Sequence, residues 1–186
     1  MRRRGNNGRN MPEYNLKPLW LVDGYNVIFA DPVYWRFEKD DLEHAREFLA
    51  DTLLDLAKHT GIEVVLVFDG KKIGHASKII ERAPGFHIVY TTAQTTADSY
   101  IEKAAFRQRD NYRYIYVVTS DGPEQSQVSG SGAYRKSVRD LMHDIRADKK
   151  AQKEEHSNFT QKQRVALAEQ LCPDARDFLE RLRRRK

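Results

Sequence analysis

The chain reads as an α/β domain of three layers, a central parallel sheet between helices, with a helical C-terminal extension. Short apolar, β-branched runs at 18–22, 62–68, 86–91 and 113–119 alternate with segments of helical periodicity, which is the signature of crossover-linked parallel strands. The first, second and fourth runs lead into an acid and a glycine: Asp23-Gly24, Asp69-Gly70 and Asp121-Gly122. The 186 residues, 40% hydrophobic and 32% charged, suffice for one domain with a core and short appendages.

Residues 1–17 are rich in Arg, Asn and Gly with little apolar content, so a disordered basic tail is expected. Residues 18–22 form the first strand, which carries Asp23 and Asn26 to its carboxyl end with Gly24 making the turn. Residues 29–39 read as a loop, with Tyr34, Trp35 and Phe37 either lidding a core edge or stacking on bases. A helix is predicted over 40–59, because Leu42, Ala45, Leu49, Leu53 and Leu56 share one face, and Gly61 caps its end. Residues 71–85 are loop or short helix, interrupted by Gly74 and Pro84-Gly85. A helix from 97 to 109 follows the third strand, and a short helix is expected from Pro123. Residues 133–135 make a short fifth strand, followed by a helix whose face is Val138, Leu141, Met142 and Ile145. Its polar continuation, 147–155, is expected to be exposed. Two further helices, 158–171 and 173–183, are predicted, the first from a capping-box pattern at Thr160 and Gln163. The organisation is thus a tail over 1–17, a domain over 18–155 and an extension over 156–186.

No apolar run reaches the roughly 18 residues of a membrane span, and the basic N-terminus has no apolar stretch behind it as a secretory signal would. The single cysteine, Cys172, excludes an internal disulfide framework and suits a reducing compartment. A cytoplasmic location is expected, or an organellar matrix if the basic start is a targeting remnant. The net charge is +5. Residues 1–17 carry +4 and residues 181–186 carry +5, so residues 18–180 are net −4. Basic ends on an acidic body suit a polyanion such as RNA, or are simply solvated.

The acids carry the chemistry. Asp23, Asp69 and Asp121 follow strands, and Asp98 opens the helix after the third strand with Glu102 at i+4 on the same face. Each has an architectural reading: Asp-Gly is a turn dipeptide, and Thr95-Thr96-Ala97-Asp98 fits a capping box. Together they converge, because a parallel sheet points all its carboxyl ends one way. Crowded carboxylates raise one another's pKa, and Mg²⁺ or Mn²⁺ relieves this with hard oxygen ligands. An aspartate cluster with such an ion points to phosphoryl chemistry. Dinucleotide and P-loop fingerprints are missing after the first strand, as are a G-x-S-x-G elbow and a zinc-type histidine pairing.

The motifs V-D-G-Y-N at 22–26, V-F-D at 67–69, T-A-D-S-Y-I-E at 96–102, T-S-D-G-P-E-Q at 119–125 and G-A-Y-R-K-S-V-R-D-L at 132–141 resemble the YacP-like branch of the NYN domains, which have a PIN-like nuclease fold. The resemblance covers about residues 18–146. It implies a ribosome-associated endonuclease that cuts mRNA in the ribosomal A site. It makes Asp23 and Asp98 the catalytic pair, Asp121 and Asp69 supporting acids, and Asn26 a group that orients water or substrate. Gly70 and Lys71-Lys72 depart from the family, whose members more often have Ala and a polar-aromatic pair there. On this reading Mg²⁺ or Mn²⁺, held by Asp23, Asp98, Asp121 and Asp69, lowers the pKa of a water for in-line attack, leaving a 3′-hydroxyl and a 5′-phosphate. Lys71, Lys72, Lys103, Arg107, Arg135, Lys136 and Arg139 are the candidates for holding backbone phosphates. The alternatives are a noncatalytic RNA- or ribosome-binding module on the same fold, and a structure-specific DNA nuclease.

Overall fold

The computed structural model describes residues 17–34, 42–70, 78–119 and 132–170, with side chains as far as 159. The elements are β1 (Leu19–Asp23), α1 (Gly24–Ala30), α2 (Leu42–Thr60), β2 (Glu63–Phe68), β3 (Lys78–Ala83), β4 (Phe86–Tyr90), α3 (Ala97–Gln108), β5 (Ile115–Thr119), β6 (Tyr134–Ser137) and α4 (Val138–Gln170). They build a six-stranded sheet in the order β3-β4-β2-β1-β5-β6. Five strands are parallel, and β3 runs antiparallel to β4. The chain forms two compact units, Met1–Ile145 and Arg146–Lys186. No helix among the described residues is long and apolar enough to cross a membrane.

Side-chain parity assigns the two faces of the sheet. Trp20 and Val22 of β1 join Leu66, Phe68, Ile88 and Val118 in a core completed by α1, by α2 through Leu49, Leu53 and Leu56, and by Leu141 and Ile145 at the start of α4. Leu19 and Leu21 join Val67, Val89, Ile115 and Val117 on the opposite face, where Ala97, Ile101 and Ala105 of α3 cover them. The helix predicted over 40–59 therefore packs with the face its periodicity indicated. It ends as expected, with Gly61 at φ +74 and its N–H donating to the Ala57 carbonyl at 2.8 Å.

Three expectations change. The all-parallel sheet acquires an antiparallel edge, because 78–83 is a strand and not loop or short helix. Pro84-Gly85 is the hairpin turn, with Gly85 at φ +78. This strand shows no apolar alternation because it buries little: Lys78, Glu81 and Arg82 are exposed and the register shifts between Glu81 and Ala83, features that blunt an edge against further pairing. The stretch taken as strand, turn and then loop is strand followed directly by helix, α1 starting one residue after Asp23. Tyr34 is buried in the core instead of forming a lid or a base platform. The third change is at the C-terminus, where the separate helix expected from 158 is the continuation of α4. Residues 147–155 contain Ala, Lys, Gln and Glu but no Gly or Pro, so nothing local ends a helix there. The expectations for 1–16, Trp35, Phe37, the short helix from Pro123 and the helix over 173–183 lie outside the described residues.

Gly24 is fixed by packing. A Cβ at this position would overlap the ring of Phe68, which is fully buried. Gly24→Ala is expected to cost about 1–3 kcal/mol, the range for overpacking a filled core. Urea denaturation should show a lower midpoint with an unchanged slope.

Candidate active site

The strand order reverses beside β1. From β1 the chain moves outward to β2 and β4, then crosses back to β5 and β6 on the other side. In open α/β sheets such a switch point leaves a crevice outside the carboxyl ends of the strands, where ligands bind. Asp23 is the last residue of β1, so the topology sets it at that crevice. Asp69 follows the last residue of β2, and α3 starts from the same rim after the 91–96 connection from β4.

Parity then decides which way the acids face. Leu19 and Leu21 pack against α3, and Asp23 is the next residue of that alternation. Val65 and Val67 do the same on β2, with Asp69 next. Both therefore continue the side of the sheet that α3 covers, and α3 carries Asp98 in its first turn. Asp23 is only 6% exposed. One carboxylate oxygen accepts from the Asn26 backbone N–H at 3.0 Å and the other from the Asn26 side-chain amide at 3.1 Å, so Asp23 also N-caps α1. Burial is the main influence and raises its pKa. The Asn26 N–H holds it down, the Asp98 carboxylate pushes it up, the Tyr25 N–H lowers it and the Asp69 carboxylate raises it again. Two acids, up to 75 positions away in sequence, thus act on Asp23.

Asp98 does not serve as the cap of its helix. Thr96 is the N-cap, its hydroxyl accepting from the Ser99 N–H at 3.2 Å. Among the described residues the Asp98 side chain makes no hydrogen bond or ion pair. The capping-box reading of Thr95 to Asp98 is displaced by one residue, and the carboxylate is left to the crevice. Glu102 is exposed one turn along α3. The turn after β2 is pinned on both sides: the Gly70 N–H donates to the Thr91 hydroxyl at 3.0 Å, and the Thr91 N–H to the Phe68 carbonyl at 3.0 Å. A Cβ on Gly70 would overlap the Thr91 carbonyl. Glycine at position 70 is therefore what the close approach of the two strand ends requires. Neither this latch nor the Thr96 cap was singled out from the sequence, although Thr91 and Thr96 stand at the two ends of the connection that delivers Asp98.

Asp121, Lys71 and Lys72 lie outside the described residues. Among the described residues no group of three His, Cys, Asp or Glu side chains is placed to hold a metal ion. The donor chemistry nevertheless suits Mg²⁺ or Mn²⁺: buried and exposed carboxylates that repel one another are hard oxygen ligands, and Mg²⁺ needs only one or two because it keeps several waters. Of the basic candidates, Lys103 and Arg107 are exposed on α3 and Arg139 is exposed on α4. Arg135 donates to the Thr119 hydroxyl at 3.2 Å, at the end of β5. Lys136 is committed elsewhere, 2.6 Å from Asp144 and 4.5 Å above the Trp20 ring.

Comparison with known proteins agrees with this fold. The model of the YacP-like NYN domain matches residues 20–184, a span that includes the C-terminal helical segment. A Bacillus subtilis (strain 168) protein described as "Uncharacterized protein YacP" is 36% identical over 128 residues, 67% of this chain and 73% of that one. The crystal structure of Rae1 (YacP) from Bacillus subtilis superposes with a TM-score of 0.64 at 29% identity, covering 91% of this chain and 96% of that one. A point mutant of the same protein gives 0.65 at 30% identity, covering 77% and 83%.

The raised pKa of Asp23 has a direction that can be tested. Its buried carboxylate is unfavourable above the folded-state pKa, and that penalty vanishes below the ordinary value of 3.8. Asp23→Asn has no such penalty at any pH. The stability of Asp23→Asn relative to the wild type should therefore decline as pH falls from neutrality toward 3.8. Thermal melts of both proteins across that window would measure it, and a constant difference would contradict the burial argument.

Proposed function

The chain belongs to the YacP-like NYN domain family, whose fold is of the nuclease type, and on that premise we propose that it is a metal-dependent endoribonuclease that cuts mRNA in association with the ribosome. The observation that carries the proposal is the electrostatic convergence of Asp23, Asp98 and Asp69 at the switch point of the sheet. RNA as the substrate and the ribosome as the setting are supported by the motif resemblance and by the basic ends of the chain.

Asp23 and Asp98 would hold Mg²⁺ or Mn²⁺, with Asp69 and Asp121 as further candidates. When bound, such an ion supplies Lewis-acid charge stabilisation at a phosphodiester and acidifies water. The protein's own contribution is orientation. The two Asn26 donors fix both oxygens of Asp23, and the Thr96 cap relieves Asp98 of a structural duty. The N-terminal end of α3 favours an anion at Asp98. Exposed Lys103 and Arg107 lie further along the same helix on its outward side, where they could meet only RNA that runs past the crevice.

One rival is an RNA-binding module without catalysis on the same fold. Calorimetric titration with Mn²⁺ separates the two, since the rival binds RNA and takes up no metal. In a cleavage assay on a translated message, chelation should abolish activity and added Mn²⁺ should restore it. Asp23→Asn and Asp98→Asn should each lower the rate by more than about 100-fold, beyond the range expected for outer-shell partners. Asn26→Ala should fall within that range, about 10–100-fold. Full cleavage by the Asp23→Asn, Asp98→Asn double variant would refute the proposal. A parallel DNA substrate tests sugar preference, because the 2′-hydroxyl is what distinguishes RNA.

A further inference from the structure

A row of aromatic side chains crosses the amino ends of three strands. Trp20 of β1 is in register with Tyr116 of β5, and Tyr116 with Tyr134 of β6. Their ring centroids are 6.4 and 5.7 Å apart, and Tyr114 extends the row at 6.5 Å from Tyr134. The inner end is part of the core: Trp20 is buried and the Lys136 ammonium, fixed by Asp144, lies over its ring. Packing accounts for these groups. It does not account for the outer pair, since Tyr114 is 37% and Tyr134 40% exposed.

A cation stands beside the outer pair. The Arg113 guanidinium is 5.3 Å from the centroid of the Tyr114 ring. The Leu19 N–H donates to the Tyr114 carbonyl at 2.9 Å, so the chain enters the sheet beside this pair, at Lys17. Partly exposed rings next to a cation are the chemistry that holds unpaired bases and their phosphates.

We propose that Tyr114 and Tyr134, with Arg113, form an anchoring surface for single-stranded RNA that is separate from the Asp23 crevice. Asp23 lies at the other end of β1, about 13 Å along the strand from Leu19 at the usual rise per residue. Its side chain also has the opposite parity to Trp20, so the rings belong to the other face of the sheet. The RNA held here lies outside the cleaved linkage, and the surface adds affinity without taking part in chemistry. The inference rests on the reading of the protein as an RNA enzyme.

Fluorescence anisotropy of the full chain with a labelled oligouridylate of about twelve nucleotides, in EDTA, tests it without cleavage. Tyr114→Ala with Tyr134→Ala should weaken binding by at least about tenfold, as loss of base stacking does. The corresponding double Phe variant keeps the ring faces and should bind as the wild type does. Arg113→Glu, an exposed change that leaves the sheet intact, should also weaken binding. Wild-type affinity in Arg113→Glu and in a folded double Ala variant would overturn the proposal, as would a double Phe variant as weak as the double Ala. Asp23→Asn should bind normally in this assay. Its effect on cleavage tests the catalytic reading alone, so failure of one proposal is distinguishable from failure of the other.

Discussion

The arrangement depends on keeping one carboxylate almost out of water. Asp23 terminates the central strand and is nearly as buried as the apolar residues before it. A buried anion without partners is among the most costly groups a fold can hold. Two donors from a single residue, Asn26, make it tolerable, and they can do so only because the backbone turns into α1 immediately after the strand. The sequence V-D-G-Y-N meets this need residue by residue. Valine ends the apolar strand, aspartate accepts, glycine clears the Phe68 ring, tyrosine enters the core and contributes an N–H, and asparagine closes back on the acid.

That compensation is incomplete. The donors pull the pKa down, yet burial with Asp98 and Asp69 leaves it raised. A site optimised for stability alone would supply an arginine or replace an acid. Retaining three mutually repulsive carboxylates instead is the kind of local conflict that folds carry at functional positions. It also gives the site a standing preference for an added positive charge.

Much of this was legible in the sequence. The four buried parallel strands and the face of α2 follow from β-branched runs and three- and four-residue spacing, because burial dictates composition there. The convergence of acids followed from topology alone. A stronger signal was present and unused: Asp23 and Asp69 each stand two residues after the last apolar side chain that packs on α3, so parity predicts their face as well as their end of the sheet. What was not legible is what burial does not govern. Strand β3 is exposed and charged, so its pairing leaves no apolar pattern. α1 is too short for periodicity to separate from a strand continuing through Tyr25-Asn26-Val27-Ile28. The extent of α4 depends on the absence of a breaker, which is a weaker signal than the presence of one. Lys136 looked like a surface cation, and only tertiary structure reveals its bond to Asp144 beneath a row of rings.

A parallel sheet gives a small domain two chemically different ends, and this chain uses the difference. At the carboxyl ends β1 and β6 stop where a helix begins, and free N–H groups there can hold anions such as Asp23. At the amino ends, Trp20, Tyr116 and Tyr134 stand within the first two residues of β1, β5 and β6, and their rings align across the three strands. Both ends are imposed by strand direction and by alternation along each strand. The contrast also constrains substitutions: a residue moved one position along β1 would change face, and a strand reversed in direction would exchange ends. The apolar interior of the sheet alone would accept either change more readily than the two ends could, so the positions of Asp23 and of the aromatic row limit strand register and direction more tightly than the core does.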